Sequence, residues 1–161
     1  MAEFDFDAVV VGAGAVGLAC GYALARRGLT VAVLEEERAI GQGVSSRNSE
    51  VIHGGLYYPT GSLKARLCVT GRRALYAFLD RHNVAYDRCG KLVVATNADE
   101  VPRLEKILAQ AQANDVEGMA MLDRAQALAL EPELACEAAL LSRAQSAHEA
   151  LEHVAREPFA V

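Results

Sequence analysis

The sequence has 161 residues, a formal net charge of −5 and 52% hydrophobic residues. These values are typical of a soluble globular chain and exclude a disordered or a fibrous protein. The acidic balance argues against nucleic acid as a partner. It does not argue against a phosphate-bearing cofactor, because backbone amides bind phosphate without net positive charge.

The four cysteines are far apart and form no CxxC pair, so reduced thiols are expected rather than a metal or redox site. The N-terminal segment MAEFDFD is acidic, unlike a secretory or mitochondrial presequence. No apolar run approaches the roughly 20 residues that a membrane span needs. The sequence therefore predicts a cytoplasmic protein, with docking on a membrane surface left open.

The first 35 residues predict a strand, a helix and a second strand. Ala8–Val11 is a short β-branched apolar run, a helix follows to about Arg27, and Thr30–Leu34 is a second apolar run. This order predicts a parallel pair of strands with a right-handed crossover. The helix is expected to bury one apolar face, made of Val16, Ala19, Ala23 and Leu24.

A glycine-rich turn joins the first strand to the helix. The residues expected to approach a dinucleotide there are Gly12, Ala13, Gly14, Ala15, Val16 and Gly17. Gly12 permits the tight turn, Gly14 leaves room for a pyrophosphate, and Gly17 lets the helix pack close to the strand. The start of the helix offers unpaired amides and a partial positive charge to the phosphates.

The second strand ends in three consecutive glutamates. Glu35 lies about 20 residues after the glycine turn, where a carboxylate can accept hydrogen bonds from both ribose hydroxyls. Glu36 and Glu37 compete for this role, and we retain Glu36 as a second candidate. This unit predicts a dinucleotide but does not separate NAD from FAD, because both carry the same ADP moiety.

Residues 39–61 are rich in glycine and serine and predict a long loop, which in a compact chain is usually functional. Its segment Ser45–Ser49 carries hydroxyls, a guanidinium and an amide that suit an anionic or polar ligand. A plain surface loop is an equal alternative on composition alone. Beyond the loop, the pattern predicts a helix from Ser62 to about His82 and a strand over residues 91–96. It further predicts a helix over residues 99–114, a strand over residues 119–122 and a helix over residues 123–130.

Three segments together resemble a known family. The run SSRNSEVIHGGLYYPTGSLKARLC, then RCGKLVVAT and later LEPEL are similar to the L-2-hydroxyglutarate dehydrogenase/oxidase group of the FAD-dependent D-amino-acid-oxidase superfamily. The resemblance covers roughly residues 6–142. It implies an α/β chain with a Rossmann-like FAD-binding βαβ unit and the beginning of an α+β substrate domain, incomplete in this sequence.

The resemblance also assigns domains and site residues. Residues 1–84 would be the N-terminal part of the FAD-binding domain, residues 85–142 the start of the substrate domain, and residues 143–161 an unmatched tail. The residues expected along the flavin and its pyrophosphate are Ser45, Ser46, Arg47, Asn48 and Ser49.

The implied reaction is oxidation of a 2-hydroxy acid to a 2-oxo acid with FAD as the hydride acceptor. The electron acceptor that follows is left open. His53 is the candidate general base, because an imidazole titrates near neutrality. A structural or flavin-contacting imidazole is the alternative for His53. Lys64 and Arg66 could meet a carboxylate, although a solvated helix face is the simpler interpretation for both.

After Ser142 the resemblance ends, and residues 144–156 have a helical pattern. A truncation, a frame-shifted end or an incomplete gene product would explain the tail. Missing later strands would leave apolar sheet surface uncovered. We therefore expect these 161 residues alone to bind FAD weakly or not at all and not to turn over substrate.

Other interpretations remain open at this stage. A glycerol-3-phosphate oxidase or a secondary-amine oxidase belongs to the same superfamily. A non-catalytic nucleotide-binding module and an NAD-dependent dehydrogenase are alternatives from other classes.

Overall fold

The computed structural model describes residues 5–49, 51–144 and 151–153. The chain divides into two compact units, Met1–Ser49 and Glu50–Val161, and each is described by itself. This division follows compactness. The predicted boundary near residue 84 separates functional domains, which a division by compactness does not test. It therefore stays a prediction.

The first unit is the predicted strand, helix and strand. It contains β1 (Ala8–Val11), α1 (Ala15–Ala25) and β2 (Val31–Leu34). The two strands pair in parallel over their whole length, from Ala8 opposite Val31 to Val11 opposite Leu34. The helix ends two residues earlier than predicted, and Gly28 follows with φ +86°, a conformation that glycine adopts without strain.

The buried face of α1 differs from the prediction. Val16 is 79% exposed, and Ala19 and Ala23 are also exposed. Gly21 is buried instead, and a Cβ built on it would lie 3.3 Å from Cγ2 of Val33. The helix therefore packs through glycine, because the missing side chain lets the two backbones come close.

The strands of this first unit also expose apolar side chains, including Val9, Val11 and Leu34. The long loop after β2 is confirmed, with a single 3₁₀ turn at Gly43–Ser46.

The second unit has a four-stranded sheet in the order β4-β5-β3-β6. Its elements are α2 (Leu63–Arg81), β3 (Lys91–Ala95), α3 (Val101–Ala113), β4 (Met119–Asp123), α4 (Arg124–Leu130), β5 (Ala138–Ser142) and β6 (Leu151–His153). β5 pairs antiparallel with both β3 and β4, whereas β6 pairs parallel with β3.

Helix starts in this unit follow their capping side chains. The Ser62 hydroxyl accepts a hydrogen bond from the Ala65 amide at 3.1 Å, which begins α2 where the sequence predicts. Asp123 and Gln126 form a reciprocal capping box at the start of α4. These side chains satisfy amides that have no partner within their own helix.

The core of the second unit lies between α3 and the sheet. Leu104, Ile107 and Ala111 of α3 pack in one buried cluster with Val93 and Leu140 of the two central strands. Among the described residues, no helix is long and apolar enough to span a bilayer.

Two features of this sheet depart from the sequence analysis. The sequence did not predict β5, which lies at the centre of the sheet. The helical prediction for residues 144–156 is wrong at Leu151–His153, where the backbone pairs with Leu92–Val94 of β3. Pairing with a neighbouring strand supplies the hydrogen bonds here, and tertiary context of this kind overrides local propensity.

Candidate functional site

The glycine turn of the first unit depends on two of its glycines for its shape. Gly12 has φ +95°, and its amide donates to the Leu34 carbonyl at 2.7 Å, which ties the turn to the end of β2. A Cβ built on Gly17 would lie 1.9 Å from the Gly12 carbonyl oxygen. No side chain fits there, so α1 begins closer to β1 than any other residue at position 17 would allow.

The first amides of α1 point out of the end of the helix. Gly14 is the N-cap in an extended conformation, and the first bond within the helix runs from the Leu18 amide to the Gly14 carbonyl at 2.9 Å. The amides of Ala15, Val16 and Gly17 therefore precede the helical ladder and carry the positive end of its dipole.

Ser45 lies on this helix start. Its hydroxyl oxygen accepts a hydrogen bond from the Ala15 amide at 2.9 Å, and it lies 3.1 Å from the position of a Cβ on Gly14. The chain bends back at the 3₁₀ turn to bring Ser45 there. The Ser45 hydroxyl keeps its own proton, which it can donate to an anion at the same place.

Glu35 lies at the glycine turn and not out in solvent. One carboxylate oxygen accepts from the Ala13 amide at 2.6 Å, and the other accepts from the Glu37 amide at 3.0 Å. The hydrogen bond from Glu37, followed by the one from Ala13, lowers the pKa of Glu35 below its ordinary value. The carboxylate is therefore ionised and held beside the turn. Glu36 and Glu37 have exposed side chains.

The rest of Ser45–Ser49 stabilises the loop or faces solvent. The Ser46 hydroxyl donates to the Gly43 carbonyl at 3.0 Å, and the Asn48 amide group donates to the Ser45 carbonyl at 2.8 Å. Arg47 and Ser49 are exposed. Ser45 is thus the residue of this segment for which a hydrogen bond to the start of α1 is seen.

These residues fit the ADP half of FAD. A dinucleotide needs close approach to the backbone, donors for its phosphates and an acceptor for its ribose. The turn at Gly17, which has no room for a side chain, meets the first need. The hydroxyl at the Ala15 amide meets the second, and the fixed carboxylate at the turn meets the third. Oxygens of Ser45 and Glu35 accept hydrogen bonds from two amides of this site. An oxygen-rich ligand could accept the same two hydrogen bonds in their place.

His53 belongs to the second unit, where its imidazole has an unusual setting. The residue as a whole is exposed. Neighbouring protein atoms nevertheless displace water from the ring, which lowers the pKa of His53 below 6.5, and the charges of Lys91 and then Lys64 lower it further. The imidazole is thus neutral at neutral pH, the form that can accept a proton.

Both lysines lie over tyrosine rings of the segment that carries His53. The ammonium nitrogen of Lys64 is 4.3 Å from the ring centre of Tyr58, and that of Lys91 is 5.1 Å from the ring centre of Tyr57. Both rings are partly buried. Cations within about 6 Å of a ring face are attracted to it, so the rings hold the two charges near the histidine.

Helix α3 fixes the backbone of this segment. Asn114 donates to the carbonyls of Gly55 at 3.1 Å and Tyr58 at 2.8 Å, and Gln110 donates to the Tyr58 carbonyl at 3.0 Å. Gly55 has φ +89°, and a Cβ on it would lie 3.1 Å from Cγ2 of Val69. The segment is therefore held by two amide side chains and by close packing on α2.

We expect Asn114→Ala to destabilise the chain by about 1–3 kcal/mol, because the Gly55 carbonyl loses its side-chain donor and the Tyr58 carbonyl keeps only that of Gln110. Chemical denaturation measures the effect. Gln112→Ala is the matched control, since that side chain is exposed on the same helix. An equal loss in both variants would contradict the importance of the Asn114 bonds.

Part of this second site was not predicted from the sequence. The sequence pointed to His53 as a candidate base and to Lys64 as a possible partner of a carboxylate. It did not point to Lys91, Gln110 or Asn114. A lysine that opens an apolar strand was the available signal for Lys91. His82 is exposed, and its ring centre lies 4.2 Å from that of Phe78. His148 and the side chain of His153 lie outside the described residues.

Comparison with known proteins identifies the family. The family model described as "FAD dependent oxidoreductase" matches residues 7–156. It therefore extends beyond Ser142, where the resemblance read from the sequence ends.

Several curated relatives carry the same name. The chain is 45% identical over 142 residues to "L-2-hydroxyglutarate dehydrogenase, mitochondrial" of Arabidopsis thaliana, which covers 88% of this chain and 29% of that protein. It is 40% identical over 130 residues to the protein of the same name from Homo sapiens, covering 80% and 28%. The chain thus spans less than a third of the length of these relatives.

Solved structures share the fold. L-alpha-glycerophosphate oxidase from Mycoplasma pneumoniae with FAD bound superposes with a TM-score of 0.74 at 29% identity, covering 88% of this chain and 38% of that one. Glycine oxidase from Geobacillus kaustophilus gives 0.72 at 25% identity, covering 90% and 41%. These matches confirm the predicted Rossmann-like α/β fold.

The expectation of a cytoplasmic protein is wrong, because the relatives are named as mitochondrial proteins. The acidic N-terminal segment was a poor guide to compartment. The resemblance to the L-2-hydroxyglutarate dehydrogenase group and the choice of FAD are confirmed by the same comparisons. The family model covers most of the sequence, and the chain belongs to the FAD-dependent oxidoreductase family of the D-amino-acid-oxidase type.

Proposed function

We propose that the protein carrying this chain oxidises L-2-hydroxyglutarate, or a similar 2-hydroxy acid, to the corresponding 2-oxo acid. The observation that carries the proposal is identity of 45% over 142 residues and of 40% over 130 residues to proteins named L-2-hydroxyglutarate dehydrogenase. The lowered pKa of His53, which keeps its imidazole neutral, supports it.

The first unit would hold the ADP half of the cofactor. The amides of Ala15 and Val16 would donate to the pyrophosphate, with the Ser45 hydroxyl as a further donor. The Glu35 carboxylate would accept hydrogen bonds from the ribose hydroxyls. Glu36, Ser46, Arg47, Asn48 and Ser49 stay in the proposal as residues near the cofactor.

His53 would take the proton of the substrate hydroxyl. FAD, when bound, would supply the acceptor for the hydride that leaves C2, so the substrate gives up one hydride and one proton, together two electrons and two protons, and becomes the 2-oxo acid. A neutral imidazole is required for this step, and the lowered pKa of His53 keeps it neutral through the physiological range.

The assay that tests the proposal follows reduction of an artificial dye by the purified full-length protein that carries this chain, loaded with FAD. L-2-hydroxyglutarate is expected to be oxidised much faster than glycerol-3-phosphate or sarcosine. A preference for glycerol-3-phosphate would support the second candidate, a glycerol-phosphate oxidase, which the match to the Mycoplasma pneumoniae enzyme favours. No oxidation of L-2-hydroxyglutarate would remove the substrate assignment.

Replacing Ser45 with alanine tests the phosphate contact separately. We expect S45A to weaken FAD binding by about fivefold to tenfold, because a hydrogen bond to a charged group is lost. Fluorescence titration with FAD measures the change. Thr30→Val is the matched control, since it removes an exposed hydroxyl of the same unit that is not among the proposed site residues. Unchanged affinity in S45A would place the phosphates elsewhere.

A further inference from the structure

A cavity of about 460 Å³ lies in the second unit beside the C-terminal half of α2. Its lining includes neither His53 nor Lys64 and Lys91, so it is a site of its own. The charged side chains that line it are four arginines and two carboxylates: Arg72, Arg73, Arg88, Arg143, Asp80 and Glu117. The lining is therefore mainly cationic, although the chain carries a net charge of −5.

Two of the four arginines already have anionic partners. Arg72 forms an ion pair with Glu117, and the Nε of Arg73 donates to the other oxygen of that carboxylate at 2.7 Å. Arg73 also pairs with Asp115 at 2.8 Å. These contacts neutralise both arginines and hold Asp115 and Glu117 against α2.

The other two arginines, Arg88 and Arg143, form no ion pair within the described part of the chain. The guanidinium carbon of Arg88 lies 4.0 Å from the ring centre of Tyr76, and Arg88 donates to the Tyr86 hydroxyl at 3.3 Å. The Asp80 carboxylate accepts from the same hydroxyl at 2.6 Å. Both arginines are exposed, so a ligand can reach them.

Close backbone packing brings the segments of Arg88 and Arg143 together. A Cβ built on Gly90, two residues after Arg88, would lie 3.1 Å from the Ser142 carbonyl oxygen and 3.9 Å from Cα of Arg143. The Arg143 amide donates to the Gly118 carbonyl at 3.0 Å. The two guanidinium groups therefore start from adjacent, fixed positions of the backbone, which lowers the cost of ordering them around one ligand.

Buried donors without a partner lie in the wall of the same cavity. Tyr76 is 8% exposed and Arg72 is 6% exposed. The Tyr76 hydroxyl and the Nε of Arg72 are buried and make no hydrogen bond to the residues that the structure describes. Buried polar groups in native proteins nearly always have a partner. Both groups can donate, so an anion suits this wall and a cation does not.

We propose that this cavity binds the phosphate group of a small phosphorylated metabolite, with Arg88 and Arg143 as its charged donors. A phosphate monoester carries a charge of about −1.5 to −2 at neutral pH and presents three acceptor oxygens. It therefore matches two guanidinium groups that have no ion pair, whereas a single carboxylate offers one charge and two oxygens. The site is separate from the proposed catalytic site and does not depend on the proposed function.

Isothermal titration calorimetry tests the proposal with inorganic phosphate and the purified full-length protein that carries this chain. The protein is loaded with FAD, which keeps free phosphate away from the cofactor site. At equal ionic strength, phosphate is expected to bind more tightly than acetate. Arg88→Gln and Arg143→Gln are each expected to weaken phosphate binding about fivefold, since each removes one partly exposed charge. Both side chains are exposed, so both variants should fold.

Two controls remove one positive charge outside the cavity. Arg81→Gln changes an exposed arginine at the end of α2, and Lys64→Gln changes a charge that acts on His53. Both should leave the affinity for phosphate unchanged.

The inference would be overturned by any of four results. These are no binding of phosphate, acetate binding as tight as that of phosphate, unchanged affinity in Arg88→Gln or Arg143→Gln, and an equal loss in either control. The titration needs no turnover. Failure of phosphate binding would therefore leave the proposed function standing, and failure of the dye assay would leave the phosphate site standing.

Discussion

The substitution Gly17→Ala is expected to abolish FAD binding by the full-length protein that carries this chain. The added methyl group would lie 1.9 Å from the Gly12 carbonyl oxygen, and that atom belongs to the backbone and cannot rotate away. Either α1 moves off the strand or the turn changes shape, at a cost of about 1–3 kcal/mol or more. Both outcomes displace the amides of Ala15 and Val16 that would face the phosphates. Flavin absorbance of the purified variant measures the loss.

Gly71→Ala is the matched control for Gly17→Ala. Gly71 lies within α2, and a Cβ built there meets nothing within 4 Å. Alanine favours a helix over glycine, so this variant should fold and bind FAD normally, with a stability gain of about 0.5–1 kcal/mol. Full flavin content in Gly17→Ala would contradict the proposed position of the cofactor.

The second large effect is expected from His53→Asn. Removing the base should lower kcat/KM for L-2-hydroxyglutarate by about 10²–10⁴-fold, the usual contribution of a positioned general base. FAD content should stay unchanged, since Glu35, Ser45 and the glycine turn are intact. His82→Asn, at the exposed end of α2, should keep full activity. A loss below tenfold in His53→Asn would assign the imidazole a structural role.

The pH profile of the unmodified protein gives an independent view of His53. The pKa of this group lies below 6.5, because burial disfavours the charged ring and two lysines repel its proton. The neutral form that accepts a proton is therefore the major form at pH 6.5 and above, and it is lost as the pH falls through the lowered pKa. We expect kcat/KM to be flat at neutral pH, with an acid limb below 6.5. An acid limb above pH 7 would exclude His53 as the titrating base.

Local patterns predicted much of the first unit and of the helix starts. The glycine spacing, the flanking apolar runs and the Ser62 cap each act over a few residues, so the sequence alone indicates β1, α1, β2 and the beginning of α2. The packing of α1 was not predictable in the same way. Its buried face depends on how close the helix comes to the strand, and the contact is made by Gly21 and not by the larger apolar residues.

Long-range pairing explains what the sequence did not reveal. β5 and Leu151–His153 are strands because β3 lies beside them, and no local signal reports a partner 50 residues away. The sequence did not decide which of the three adjacent glutamates contacts the turn, and the reason is again a long-range contact. Glu35 is distinguished by its bond to the Ala13 amide, a contact 22 residues apart along the chain. Lys91 was missed because its importance comes from Tyr57 and His53, not from its neighbours in sequence.

A crystal structure of the full-length protein that carries this chain, with FAD bound, tests the proposed cofactor position most directly. We expect the pyrophosphate to lie against the amides of Ala15 and Val16, within hydrogen-bond distance of the Ser45 hydroxyl. We also expect both ribose hydroxyls to donate to the Glu35 carboxylate. A dinucleotide bound away from the start of α1, or a Glu35 carboxylate that makes no ribose contact, would contradict it.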